Sequence, residues 1–217
     1  MSKKLALLLF GRAYLTKENR VIIDYMASLN NYREYIFKHF ESIGYTIDVF
    51  FATNDDIPDF QKKELVEDYQ PVAHVFVKDL SNNYDSRITK VRKVLELCRS
   101  HHETYDHVLL TRFDLIFNDK FNESNIDYER LNFVSILEAP NLLCDNFYFF
   151  PYSLLDAFIK VANERVNKSD KYYNMDRIHC MHYYMKPFKE HFQDFNFIKN
   201  ENRRVASLSF YTIKRHK

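Results

Sequence analysis

The stretch Tyr105-Asp106-His107-Val108-Leu109-Leu110-Thr111-Arg112-Phe113-Asp114-Leu115-Ile116-Phe117 decides how the rest of the chain is read. Val108 to Leu110 is an unbroken apolar run, the pattern of a strand buried on both faces. It delivers Arg112 and Asp114 into hydrophobic surroundings before apolar residues resume at Leu115. Charged side chains are rarely buried without partners. In open α/β sheets, ligands bind beyond the carboxyl ends of the strands. Asp114 is therefore a candidate ligand-binding group, since one carboxylate there can hold a hard divalent cation and the cation a diphosphate. The same spacing also fits a structural Arg112–Asp114 ion pair at a strand end. Both readings are open at this stage.

Working outward toward the N-terminus, Leu5 to Phe10 is a continuous apolar run, a buried first strand ended by Gly11. Asn31 is placed to cap a helix from Tyr32 to Ile43, with Gly44 at its stop. Thr46 to Ala52 reads as a second strand, Asn54 to Pro58 as a loop, Asp59 to Tyr69 as a short helix and Val72 to Val77 as a third strand. A long helix is predicted over Tyr84 to His101, with Ile88, Val91, Val94, Leu95 and Cys98 on its apolar face. It leads into the strand Val108 to Thr111.

On the C-terminal side, Asn132 to Leu137 and Phe147 to Phe150 read as strands, and Pro151 as the first-turn residue of a helix. A last helix is predicted over Met175 to Lys189, and Phe195 to Ile198 and Ala206 to Ile213 are short apolar stretches suited to completing the sheet. Strand and helix alternate in the first half and mix in the second. That order means one α/β domain over residues 1–217, with a largely parallel sheet and antiparallel strands in its C-terminal half. No internal repeat, linker or low-complexity segment divides it.

Composition narrows the function classes. With 217 residues, 46% hydrophobic and 28% charged, the chain can bury a substantial core. A formal net charge of +1 argues against nucleic-acid binding by bulk electrostatics. The basic residues near the end, Lys199, Arg203, Arg204, Lys214, Arg215, His216 and Lys217, read as a solvated terminus. Gly11 and Gly44 are the only glycines, which excludes the glycine-rich phosphate loops of the Rossmann and P-loop kinds. A nucleotide here would have its phosphates held by side chains or a metal. Cys98, Cys144 and Cys180 show no zinc or redox spacing, as expected of thiols in a reducing compartment. Leu5 to Phe10 is too short for a signal-peptide core, and no apolar run approaches the roughly 20 residues of a membrane span. The expected location is a cytoplasm, at most peripheral to a membrane.

In this order of features the chain resembles nucleotide-sugar-dependent glycosyltransferases of the GT-A fold, in particular the small enzymes of surface-polysaccharide clusters and large DNA viruses. The resemblance rests on an early strand ending in Gly11-Arg12, on the strand Tyr45-Thr46-Ile47-Asp48-Val49-Phe50, and on a long helix leading to Tyr105 through Leu115. Arg112-Phe113-Asp114 stands where that fold's Asp-x-Asp motif stands. The pattern covers most of the chain, while its sharp motif is three residues long.

The resemblance implies a GT-A-like sheet with helices on both faces. It implies transfer of a hexosyl or pentosyl group from a nucleoside-diphosphate sugar to a glycan or glycoconjugate acceptor, in a cytoplasm, that of a virus-infected host included. Gly11 and Arg12 would lie at the nucleotide, with Arg112 orienting or pairing beside it. Asp114 would coordinate Mn²⁺ or Mg²⁺ on the diphosphate. Arg87 and Lys90 would assist the leaving group from its other side, against a plain reading of both as a solvated helix face. Asp145 is the first candidate for a general base and Glu138 the second. Asp145-Asn146 reads equally as a turn pair.

On a helix Asp176 and His179 share a face, as do His179 and His182, and the resemblance makes His179 an additional metal ligand; a surface histidine is the competing reading. The alternative function is a non-catalytic α/β module that binds a glycan or protein through its aromatic surplus. No pair of carboxylates at a telling spacing supports glycoside hydrolysis.

Overall fold

The computed structural model describes residues 2–14, 23, 25–78, 83–135, 143, 146–164, 185–199 and 209–213. Its first strand, β1 (Lys3–Phe10), has no wet face. Leu5 to Leu9 are fully buried and Phe10 is 1% exposed, which is why the run carries no polar alternation. Leu5, Leu7 and Leu9 enter one core, and Ala6, Leu8 and Phe10 enter another on the opposite side. The sheet is therefore a middle layer between two helical ones.

A helical segment follows, formed by α1 (Tyr25–Tyr32), a π-helical turn (Arg33–Phe37) and α2 (Lys38–Ser42). Then come β2 (Tyr45–Asn54), α3 (Asp59–Tyr69), β3 (Ala73–Val77), α4 (Asn83–Ser100), β4 (His107–Arg112) and β5 (Leu115–Phe117). The C-terminal half holds β6 (Leu131–Phe133), β7 (Phe147–Pro151), α5 (Leu155–Asn163), α6 (Met185–His191), β8 (Phe195–Phe197) and β9 (Tyr211–Ile213). Leu29, Tyr32, Ile36, Phe40 and Leu65 cover one face of the sheet; Val91, Val94, Leu95, Phe158 and Phe188 cover the other. Every apolar-face residue expected of the long helix is buried: Ile88, Val91, Val94, Leu95 and Cys98. Burial pushes the Cys98 thiol up to about 12, so it is protonated and inert.

The seven-stranded sheet has the order β3-β2-β1-β4-β7-β6-β8. Pairings β1–β2, β1–β4, β2–β3 and β6–β8 are parallel, and β7 runs antiparallel to both β4 and β6. The fold is the expected α/β class, mostly parallel, with its antiparallel strand in the C-terminal half and helices on both faces.

Local expectations are corrected at four points. The first helix begins at Tyr25, so Asn31 lies inside it and caps nothing. Its side chain instead pairs with the Phe117 backbone, Nδ2 donating to the carbonyl at 3.0 Å and Oδ1 accepting from the N–H at 2.7 Å. Pro151 closes β7 rather than opening a helix; a 3₁₀ turn, Tyr152–Leu154, separates it from α5. The strand of Asn132 to Leu137 is described only as Leu131–Phe133. Tyr211–Ile213 does not join the main sheet but pairs antiparallel with Leu115–Phe117 in a two-stranded one. Residues 175–184 of the predicted last helix lie outside the described residues.

Candidate functional site

The chain lays β2 and β3 on one side of β1, then crosses back through α4 to place β4 on the other side. The strand order thus reverses between β1 and β4, and the crevice beyond their carboxyl ends is where such sheets take ligands. Phe10 pairs with Arg112 in register at that edge. Gly11 follows with φ +104°, a conformation that side chains rarely adopt, and turns the chain over the sheet edge. The Ala13 N–H donates to Thr53 Oγ1 at 3.2 Å, tying that turn to the end of β2.

Phe113 turns into the core, packing edge-on against Phe51 and Tyr69 at ring distances of 5.7 and 5.5 Å. Arg112 ends β4, and Phe113 and Asp114 form the turn that leads to β5. The Arg112 and Asp114 side chains meet as a two-point ion pair: Arg112 Nε to Asp114 Oδ1 is 2.6 Å and Nη2 to Oδ2 is 2.5 Å. The pair is nearly dry, with side-chain exposures of 12% and 2%. The Tyr32 hydroxyl donates to the Arg112 carbonyl. Burial, followed by the Asp114 charge, raises the pKa of this phenol, so it is a neutral donor.

Asn146 ties the crevice together. It precedes β7, whose Phe147 pairs with Thr111, and its main-chain carbonyl accepts from Thr111 Oγ1 at 3.1 Å. Its Oδ1 accepts from Arg112 Nη1 at 3.2 Å and from Arg87 Nη2 at 2.9 Å, and its Nδ2 donates to the Tyr211 hydroxyl at 2.8 Å. Arg87 also lies over the Phe10 ring, 5.6 Å from its centroid. Lys90, one turn further along α4, donates to Ser86 Oγ and is 2% exposed. The solvated-face reading fails for both residues: Arg87 is bound into the crevice network and Lys90 is buried. Arg87 and Arg112 thus meet at this edge on the Asn146 amide, with Asp114 paired to Arg112.

Among the described residues, Asp114 has no second acidic or histidine side chain beside it with which to build a divalent-metal centre. Such ions take six or more oxygen ligands, several of them from carboxylates or carbonyls. Here both Asp114 oxygens accept from one guanidinium. Among the described residues, no three His, Cys, Asp or Glu side chains gather.

Of the residues singled out in the sequence, Gly11, Arg12, Arg87, Arg112 and Asp114 lie at this edge, and Lys90 lies on the helix turn beside it. Asp145, Glu138 and His179 lie outside the described residues, as do Asp176 and His182. Sequence reasoning missed Asn146 and Tyr211. Asn146 was visible only as half of an Asp-Asn pair. Tyr211 is one of 16 tyrosines, and no local pattern marks it.

A second concavity, an open groove of about 590 Å³, is lined by Arg99, Asp156, Ile159, Lys160, Glu164 and His191. It begins near the last turn of α4. Arg99 is twelve residues beyond Arg87, or about 18 Å along the helix at 1.5 Å per residue. No helix among the described residues is long and apolar enough to cross a membrane.

No protein-family model matches the sequence, and no curated protein sequence matches it. Among solved structures the chain is similar to the glycosyltransferase GlyE of Streptococcus pneumoniae TIGR4, with 9% identity over 91% of this chain and 46% of that one and a TM-score of 0.42. It is similar also to a glycosyltransferase involved in glycosylation of the major capsid of PBCV-1, with 10% identity over 81% of this chain and 71% of that one and a TM-score of 0.42. The chain spans a little under half of the GlyE chain that it matches. Likeness at this level establishes neither a family nor a shared activity.

Proposed function

We propose that this chain is a glycosyltransferase that moves a sugar from a nucleoside-diphosphate donor to a glycan or glycoconjugate acceptor. One observation carries the reading: the positive side chains Arg87 and Arg112 converge on Asn146 at the reversal point of a mostly parallel sheet. Without glycine-rich loops, side chains or a metal hold the phosphates. The first turn of α4 adds the positive end of an 18-residue helix to the same edge. The family resemblance of Arg112-Phe113-Asp114 and its flanking elements supports sugar transfer over other uses of a diphosphate site.

In such a transfer the bond between the sugar's anomeric carbon and the diphosphate oxygen breaks, and negative charge collects on the departing diphosphate. Preorganised cations aimed at that charge stabilise the transition state more than the ground state. Arg87 and Arg112 are preorganised, since Asn146 holds both guanidinium groups. A carboxylate deprotonates the acceptor hydroxyl as it attacks in an inverting reaction. Asp145 is the first candidate for that role and Glu138 the second.

The test is a thermal-shift panel of UDP-, GDP- and other nucleotide sugars, with and without Mn²⁺. At least one donor raises Tm, and Arg87→Gln lowers that rise. No shift with any donor contradicts the proposal. Glycan binding without donor binding would favour a non-catalytic module.

A further inference from the structure

Resting on that reading, we infer that Tyr211 is a positioning residue of the donor site: its hydroxyl anchors the Asn146 amide, and through that amide it holds Arg87 and Arg112 in place for the diphosphate. Donor chemistry fixes which arm of the amide faces which neighbour. A guanidinium group only donates, so the atom that Arg87 Nη2 and Arg112 Nη1 reach, at 2.9 and 3.2 Å, is Oδ1. The other arm, Nδ2, only donates, and the Tyr211 hydroxyl accepts from it at 2.8 Å. The torsion that carries a terminal amide is broad and roughly two-fold, so side-chain packing alone holds it loosely. The arginines decide which way round the amide sits. Tyr211 keeps it there when the arginines turn toward a ligand.

Tyr211 reaches this point from far along the chain, 65 residues beyond Asn146. It opens β9 and pairs with Phe117 across the β5–β9 ladder. The preceding Phe210 is fully buried, its ring edge-on to those of Phe117 and Phe147 at 5.6 and 5.3 Å. The Asn118 N–H donates to the Phe210 carbonyl at 2.9 Å and continues the tie. β5 follows directly on the turn at Phe113 and Asp114, and Phe147 follows directly on Asn146. Phe210 therefore packs against both segments that carry the site. Tyr211 beside it is 2% exposed, so its ring is fixed and its hydroxyl stands at one point. Phenylalanine would fill the same core space, and what the hydroxyl adds there is the contact with Asn146.

The test uses the full chain and inorganic pyrophosphate, titrated calorimetrically with and without Mg²⁺, so that the base of the nucleotide does not enter. The wild type binds in at least one of the two conditions. Tyr211→Phe, which removes a single oxygen, weakens that binding at least about fivefold, the factor carried by one hydrogen bond of ordinary strength. Asn146→Ala weakens it at least as much. The double variant binds as Asn146→Ala does, within about twofold, because the hydroxyl then has no amide to hold. Thermal melts establish that each variant is folded. A second measurement needs no change at Tyr211. Saturating pyrophosphate shifts the Asn146 side-chain amide in ¹⁵N spectra of the wild type, the resonance being identified by its loss in Asn146→Ala.

Wild-type affinity in Tyr211→Phe overturns the inference. So does a loss that adds in full to that of Asn146→Ala, which marks a purely structural part for the hydroxyl, and so does an Asn146 amide that pyrophosphate leaves unmoved. In each of these cases the transferase reading stands if a nucleotide sugar raises Tm. Failure of the wild type to bind pyrophosphate under either condition also overturns the inference. The transferase reading falls with it only if the nucleotide-sugar panel is negative too.

Discussion

At the residue scale, the Arg112–Asp114 pair shows what two charged residues at a dry strand end do when a turn brings them together. Their i, i+2 spacing was legible in the sequence, and so was the choice between ion pair and ligand. The contact of Arg112 with Asn146 was not legible, because its approach is set by the β4–β7 pairing and not by any local pattern. Removing one member of a buried pair leaves the other uncompensated, so Asp114→Ala lowers stability by about 3–5 kcal/mol, read from urea unfolding. Asp114→Asn costs less, because one acceptor oxygen remains. At the other end of β4, His107 accepts from the Tyr45 hydroxyl at Nδ1 and donates to the Tyr128 carbonyl from Nε2, both at 2.9 Å. Both contacts suit the neutral ring, and burial holds its pKa below the ordinary value, with Lys3 adding to the decrease and Asp106 and Glu129 opposing it. A folded pKa below the unfolded one means that the stabilisation is complete above about pH 6.5 and is lost as pH falls below it. His39 and His74 are shifted the same way. Unfolding free energy therefore falls from pH 7 toward pH 5, by at most about 1.4 kcal/mol per pH unit for each proton, and His107→Gln makes that slope shallower.

At the element scale, period and punctuation read correctly wherever one local rule governs. The α3 boundaries and the buried face of α4 follow the 3.6-residue period. The stop before β2 follows from Gly44, whose φ is +86° and whose N–H donates to the Glu41 carbonyl at 3.0 Å. An added Cβ there meets nothing within 4 Å, so the cost of Gly44→Ala is backbone strain alone. We expect about 1–2 kcal/mol of destabilisation by thermal or urea unfolding, with Gly44→Asn milder because asparagine tolerates left-handed backbone. The first helix was misplaced for two physical reasons. Asn31 has the chemistry of a cap but pairs with the Phe117 backbone, a partner 86 residues away. Tyr32, Ile36 and Phe40 are spaced by four, which on a regular helix of 3.6 residues per turn drifts by about 40° per step. The wide π turn at Arg33–Phe37 takes up that drift and keeps all three side chains buried. The pairing of β9 with β5 joins two three-residue strands far apart in the chain, and nothing local announces it.

At the scale of the whole molecule, the buried β1 and the βα alternation around it were enough to foresee an α/β sheet covered on both faces. They also marked the carboxyl end of the Val108–Thr111 strand as a ligand edge, while the reversal of strand order between β1 and β4 emerges only from the assembled sheet. What stayed hidden was the convergence of α4, the residue before β7 and β9 on that edge, which only the assembled sheet brings about. The account predicts that a diphosphate occupies this crevice and not the charged groove between α4 and α5. The most direct measurement is a crystal structure of the chain with a bound nucleoside diphosphate. Phosphate oxygens within hydrogen-bond distance of Arg87 and Arg112 are the predicted result. Phosphate seated instead among Arg99, Lys160 and His191 would contradict it.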